Sequence, residues 1–195
     1  MNLLLGMNIW LLTFAISGIS FLVFRFVYHV KWRYLLLGIV PFFIARYVED
    51  WMLTPSDIII MLILIAPVWE EILKFLFTYF RKTFDGGIAV GLTFAWIENA
   101  FYYEAYFHTP LFLFVVLIRE FTDPVLHSTT TSISQKSWQG KLRYLGIAIL
   151  FHAIWNTLAV VGTIYEIIIV AIIYFGITYY RFMLEKRIID KKIKN

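Results

Sequence analysis

The chain has 195 residues, of which 61% are hydrophobic and only 15% charged, with no cysteine and a formal net charge of +4. A soluble domain carries about 45–50% apolar and about 25% charged residues, and a core of this size cannot hide the excess from water. An ordinary soluble fold is therefore excluded, as are disulfides and thiolate catalysis, and the composition fits an all-α, polytopic membrane protein.

Crossing ~30 Å of hydrocarbon takes about 20 helical residues, and seven stretches predict a span. The first runs from Asn8 to Val30. No Lys or Arg precedes it, and it closes on Arg25, Lys31 and Arg33 rather than on a small-residue cleavage site, so a retained helix is expected rather than a signal peptide. The second, Tyr34 to Tyr47, is short and interrupted by Pro41, which predicts a tilted, kinked or re-entrant segment. The others are Asp57 to Phe80, Gly86 to Phe107, Pro110 to Ile133, Tyr144 to Val161 and Ile164 to Leu184. With no repeats or linkers, residues 1–195 read as one transmembrane domain, its motif-bearing core at about 57–162.

The connections alternate in charge. One set holds Lys31 and Arg33, then Arg81 and Lys82, then Lys136, Lys141 and Arg143, then the tail with Lys186, Arg187, Lys191, Lys192 and Lys194. The other holds Glu49, Asp50, Glu104 and Glu166, with only Arg46 against them. The positive-inside rule places the first set in the cytoplasm and the N-terminus outside, and a plasma membrane is the expected location. Trp32, Trp51, Tyr102, Tyr103, Tyr106 and Trp138 stand near predicted span ends, as interfacial anchors do.

The informative residues are those that lipid should not tolerate. An ionisable group at the bilayer centre costs roughly 2.5–3.5 kcal/mol on insertion scales. The spans nevertheless keep Glu70, Glu71, Lys74, Glu98, Arg119, Glu120, Asp123, His127 and His152, with Asn99 and Asn156. At ~1.5 Å per residue, Glu70, Glu71, Glu98, His127 and His152 all fall about 13–18 Å from the basic loops. Four helices thus deliver polar groups to one level. Spacing sharpens this: Glu70 and Glu71 both reach Lys74, Arg119, Asp123 and His127 form an i, i+4, i+8 stripe, and His152 and Asn156 are one turn apart.

Two chemistries suit this set. A desolvated carboxylate pair beside a lysine can activate water as a general base, with His152 and Asn156 as donors to a developing oxyanion. Alternatively, Glu and His from four helices can hold a divalent zinc, although HExxH is missing. Singly, each residue has a plainer reading: Glu71–Lys74 as a structural pair, Arg119–Asp123 as a salt bridge, Asn156 as interhelical glue.

Taken in order, these motifs resemble the PrsW family of intramembrane proteases. Glu70-Glu71-Ile72-Leu73-Lys74 is similar to its EExxK motif, and Gly91 to Glu98-Asn99 followed by Phe101-Tyr102-Tyr103 looks like its glycine-to-GluAsn helix. Arg119, Pro124 and His127 resemble its arginine–histidine helix, and His152-Ala-Ile-Trp-Asn156 its HxxxN motif. The resemblance extends more distantly to the CAAX prenyl endopeptidases, from which Glu98 departs by standing where those have histidine. It implies an intramembrane endopeptidase that cuts membrane-anchored, anti-sigma-factor-like proteins, in a family described with both metal and glutamate mechanisms. The expected catalytic set is Glu70, Glu71, Glu98, His127, His152 and Asn156, supported by Lys74, Asn99, Arg119 and Asp123. Lys74 tips the expectation toward glutamate-activated water with no cofactor. Should zinc be used, its ligands are expected among Glu71, Glu98, His127 and His152. The expected partners are a membrane-anchored protein substrate and the lipid bilayer, with no nucleic acid. A proton-coupled transporter or a non-catalytic membrane scaffold is the competing reading.

The charge pattern makes one direct prediction. A topology reporter fused after Asn195 should read cytoplasmic, and one in the Glu49–Ser56 segment external; opposite readings would reject the orientation, and a cytoplasmic second reporter would reject the second span.

Overall fold

The computed structural model describes residues 3–52, 58–162 and 164–194, with the side chains of all but 3–7, 58 and 187–194. Asp57, residues 53–56 of the predicted outer loop, and Asn195 lie outside the described residues, as do the side chains of Arg187, Lys191, Lys192 and Lys194.

Every regular element among the described residues is helical: α1 Leu3–Val27, α2 Ile39–Met52, α3 Ile58–Ile60, α4 Ala66–Phe77, α5 Phe84–Tyr106, α6 Phe112–Ser134, α7 Arg143–Val161 and α8 Ile164–Lys194. Tight 3₁₀ segments at Trp32–Gly38, Thr78–Arg81 and Gln135–Gln139 join them, and a π-helical turn, Met61–Ile65, links α3 to α4.

α5 is the axis of the molecule. From Phe84 to Ala100 only Asp85, Trp96 and Glu98 escape full burial. A helix buried around its whole circumference belongs to an interior. Thr83 starts it, its hydroxyl accepting from the Gly86 N–H at 3.3 Å. The 3₁₀ segment and α1 cover one side through Phe21, Tyr28, Leu35, Phe84, Ile88 and Leu92. On another side lies α6, buried from Thr122 to Ser134. Beyond it, Val125 and Leu126 of α6 pack against Trp155 of α7 and Tyr174 of α8.

Among the described residues, three helices are long and apolar enough to cross a membrane: Asn8–Val27 of α1, Arg143–Val161 of α7 and Ile164–Lys186 of α8. They form an outer shell; only 11% of the α8 window is buried. α5 and α6, of 23 residues each, are ~35 Å long, but carry the polar groups that an outer helix would not. At 14 residues, α2 is ~21 Å long and too short to cross alone.

One sequence expectation needs correcting. Pro41 does not interrupt a helix. The chain is 3₁₀ up to Gly38, and Pro41 lies in the first turn of α2, where its missing N–H has no helical partner to lose. The predicted seventh span agrees with the apolar stretch Ile164–Lys186, and α8 runs on beyond it to Lys194.

Two glycines set the α5–α6 spacing. A Cβ on Gly91 would overlap the His127 carbonyl, and one on Gly87 would sit 2.7 Å from the Ser132 Cα. Backbones this close exclude any side chain. Gly91→Ala is therefore expected to destabilise the folded protein in detergent by about 1–3 kcal/mol. Gly146→Ala on α7, with nothing within 4 Å of its added carbon, should be neutral or stabilising by up to about 1 kcal/mol. Equal melting behaviour of the two variants would reject the close-approach account.

Candidate active site

α4 delivers three charged side chains to the interior. The π turn before it and Pro67 in its first turn set the register from which Glu70, Glu71 and Lys74 emerge. Lys74 is fully buried. Its Nζ lies 2.6 Å from Glu71 Oε1, 3.5 Å from Glu70 Oε2 and 2.7 Å from His127 Nδ1 on α6, and 4.5 Å from the centre of the Phe94 ring. An ammonium can only donate, so the His127 Nδ1 that faces it accepts.

His127 is held from its other side by α5. Its Nε2 stands 2.7 Å from Glu98 Oε2. Glu98 Oε1 accepts from Arg119 Nη2 at 2.9 Å. Arg119 also donates from Nε to Asn99 Oδ1 at 3.0 Å, pairs with Asp123 one turn along α6, and stacks over the Tyr102 ring at 3.7 Å. The supporting residues Asn99, Arg119 and Asp123 thus form a brace behind Glu98.

α7 adds His152. Its Nδ1 is 2.9 Å from Glu71 Oε1, and its Nε2 is 3.8 Å from Glu70 Oε2. With the carboxylate accepting at Nδ1, the Nε2 lone pair is turned toward Glu70. The two imidazole rings lie edge to face, 5.1 Å apart. Asn156 is engaged elsewhere: its Nδ2 donates to the Leu62 carbonyl in the π turn at 2.8 Å. Glu120 turns the other way, accepting from Tyr103 at 2.6 Å and from the Ser20 backbone N–H of α1 at 3.0 Å. Glu70, Glu71, Glu98, His127 and His152 are therefore brought together, with Lys74 among them, while Asn156 and Glu120 bond outside the group.

Two participants escaped the sequence reading. Thr130 donates to Glu71 Oε1 at 2.9 Å. Its position three residues after His127, on the same face, is a signal that could have found it. Glu49, read as part of an outer loop, belongs to α2 and lies close enough to Glu70 for the two carboxyl groups to interact. Nothing in its spacing announces this, since the packing of α2 on α4 is tertiary.

The donor set fits a divalent metal. Ligand atoms of Glu70, His127 and His152 lie within 4.8 Å of one another, and one carboxylate with two imidazoles is a combination zinc accepts. His152 has the arrangement of a ligating histidine, with one nitrogen tied to a carboxylate and the other free. His127 would give up one of its two present contacts to serve. Glu71 is consumed in orienting His152 and pairing Lys74, so the convergent carboxylate is Glu70, where the sequence suggested Glu71. A second group, Glu98, Asp123 and His127, also converges, but the Arg119 guanidinium already pairs with both of its carboxylates.

A family model described as PrsW family intramembrane metalloprotease matches residues 7–180. No curated protein and no solved structure matches the chain. The expectation of a site without a cofactor finds no support, since the matching family is metallo-type by description and a Glu/His donor set is in place.

The geometry ties Lys74 and Glu71 to each other. Lys74→Met or Glu71→Gln alone leaves a partner buried without its counter-charge and should cost about 3–5 kcal/mol of unfolding free energy. Combined, they should cost less than the sum by about 0.5–3 kcal/mol. Additive losses in a double-mutant cycle would show that the pair is not coupled.

Proposed function

The chain belongs to the PrsW family of intramembrane metalloproteases, and on that footing we propose that it is an endopeptidase hydrolysing a peptide bond of a membrane-anchored, anti-sigma-factor-like protein at the Glu70–His127–His152 cluster. The observation that carries this reading is the convergence of Glu70, Glu71, Glu98, His127 and His152 from four helices within one buried group. We take residues 1–195 as one catalytic domain in the plasma membrane. In this reading all seven predicted segments lie in the bilayer, the C-terminus is cytoplasmic, and the shell of α1, α7 and α8 helps to shield α5 and the buried half of α6, Thr122 to Ser134, from lipid.

Glu70, His127 and His152 would hold the metal, which when bound supplies Lewis acidity toward a carbonyl and toward water. Glu70 is also the carboxylate with room to take up a proton from the attacking water, because its contacts to Lys74 and His152 are long. Glu71 keeps His152 in one tautomer and orientation. Glu98, braced by Arg119, does the same for His127. Lys74 supplies a fixed positive charge where negative charge develops, which favours a tetrahedral oxyanion over the neutral ground state. One observation favours a second reading, glutamate-activated water without a metal: Lys74 already places a cation among the same acceptors.

Cleavage of a helical, membrane-anchored substrate by purified protein separates these readings. Activity should disappear on exhaustive chelation and return with zinc. Glu70→Gln should lower the rate by about 10²–10⁴-fold while the melting transition is retained. Activity that survives chelation would reject the metal reading in favour of the glutamate one. Full activity of Glu70→Gln would reject the site.

A further inference from the structure

A second polar feature lies away from this cluster, at the C-terminal end of α1. His29 adopts a left-handed backbone, φ 51°, and turns the chain so that Arg25, Phe26, His29, Val30, Lys31 and Trp32 wall a cavity of about 430 Å³. Two of these residues are cationic, a third can become so, and none is acidic. Arg46, Arg81 and Arg119 each meet a carboxylate. Arg25 differs: among the described residues its guanidinium makes no ion pair, and its Nε is shielded from solvent without a hydrogen-bond partner. It stacks instead 3.7 Å over Trp32 and 5.1 Å over Phe26. Stacking holds the planar fork in place and leaves its N–H edge to an anion, and a guanidinium edge matches the oxygens of a phosphate in a bidentate manner.

We propose that this cavity binds the phosphate headgroup of an anionic phospholipid. The apolar surface beside it distinguishes a lipid from free phosphate. Ile19, Leu22, Val23 and Phe26 are all exposed on α1; at i, i+3, i+4 and i+7 they form one stripe. That stripe ends at Phe26, a wall of the cavity, so acyl chains can lie along it while the headgroup meets Arg25 and Lys31. Trp32, 57% exposed, is the residue type that settles at the boundary between acyl chain and water. The His29 ring packs on Phe182 of α8 with centroids 6.1 Å apart, so the site joins the first and last helices. This places a lipid at the seam of the outer shell, independent of the proteolytic reading.

The test is lipid retention by the purified protein in detergent, counted by native mass spectrometry. Phosphatidylglycerol and phosphatidylcholine of equal chain length are offered separately and together. One phosphatidylglycerol should be retained in preference to phosphatidylcholine. Retention should fall about tenfold or more with Arg25→Gln combined with Lys31→Gln, and stay unchanged with Lys141→Gln in a different basic loop. Inorganic phosphate at the same concentration should displace nothing; displacement by it would assign the cavity to a free anion and overturn the lipid assignment. Equal retention of the two lipids, or full retention by the Arg25/Lys31 variant, would overturn it as well. If that variant fails to fold, salt decides on the unmodified protein: retention that falls as ionic strength rises supports the charged headgroup contact, and salt-independent retention rejects it.

Discussion

The ammonium of Lys74 is the constraint around which the interior is arranged. A buried cation is costly unless paired and hydrogen-bonded, and this one is fully enclosed. Its acceptors come from two directions: Glu70 and Glu71 from its own helix, and His127 Nδ1 from α6. An i,i+3 or i,i+4 pair alone would fix nothing beyond α4. The contact to His127 makes the cost of exposing or orphaning Lys74 depend on how α4 sits against α6. From there the dependence spreads: His127 leads to Glu98 on α5, Glu98 to Arg119, and Glu71 to His152 on α7. Buried ionic groups are poor sources of net stability but can fix one arrangement among several. Here one lysine ties two helices, and its partners bring in two more.

The close approach of α5 to α6 makes this network possible. Gly87 and Gly91 remove side chains where the two backbones nearly touch. Two turns beyond Gly91, Glu98 then lies within contact distance of His127. In lipid, helices gain little from burying apolar surface against one another, so packing of small residues and polar contacts decide which surfaces meet. Both devices appear on this interface, and both point the same side chains at one volume.

Much of this is legible in the sequence because a membrane is a strict solvent. Charged residues inside apolar segments must find one another, so Glu70, Glu71, Lys74, Glu98, His127 and His152 could be grouped from depth and spacing alone. Arg119 with Asp123 followed from their one-turn separation. Less visible was what depends on local backbone geometry. The π turn at Met61–Ile65 re-aims a carbonyl toward Asn156, and a uniform helical period cannot show that. Glu120 counted as one of the intramembrane charges, yet it belongs to a separate contact with Tyr103 and α1; one residue of helical rotation separates it from the Arg119 face. Glu49 was hidden for the opposite reason. It stands among outer-loop charges in the sequence, and only the placement of α2 brings it to Glu70.

The adjacent glutamates show why spacing cannot assign roles. Glu70 and Glu71 are identical in type and neighbours in sequence, and both reach Lys74. One step of helix rotates them by ~100°, and the surroundings then differ. Glu71 Oε1 is held by Lys74, His152 and Thr130 within 2.6–2.9 Å, so moving it would break three contacts at once. Among the described residues Glu70 has longer contacts, 3.5 Å to Lys74 and 3.8 Å to His152 Nε2, and lies near Glu49. A carboxylate tied on this scale suits orienting work, whereas one with loose contacts and a neighbouring imidazole lone pair can take on a ligand or a proton at little cost. The same environment that makes Glu71 a fixed post therefore leaves Glu70 as the less constrained carboxylate of the two. That division of labour arises from α6 and α7, not from the motif that carries the two residues.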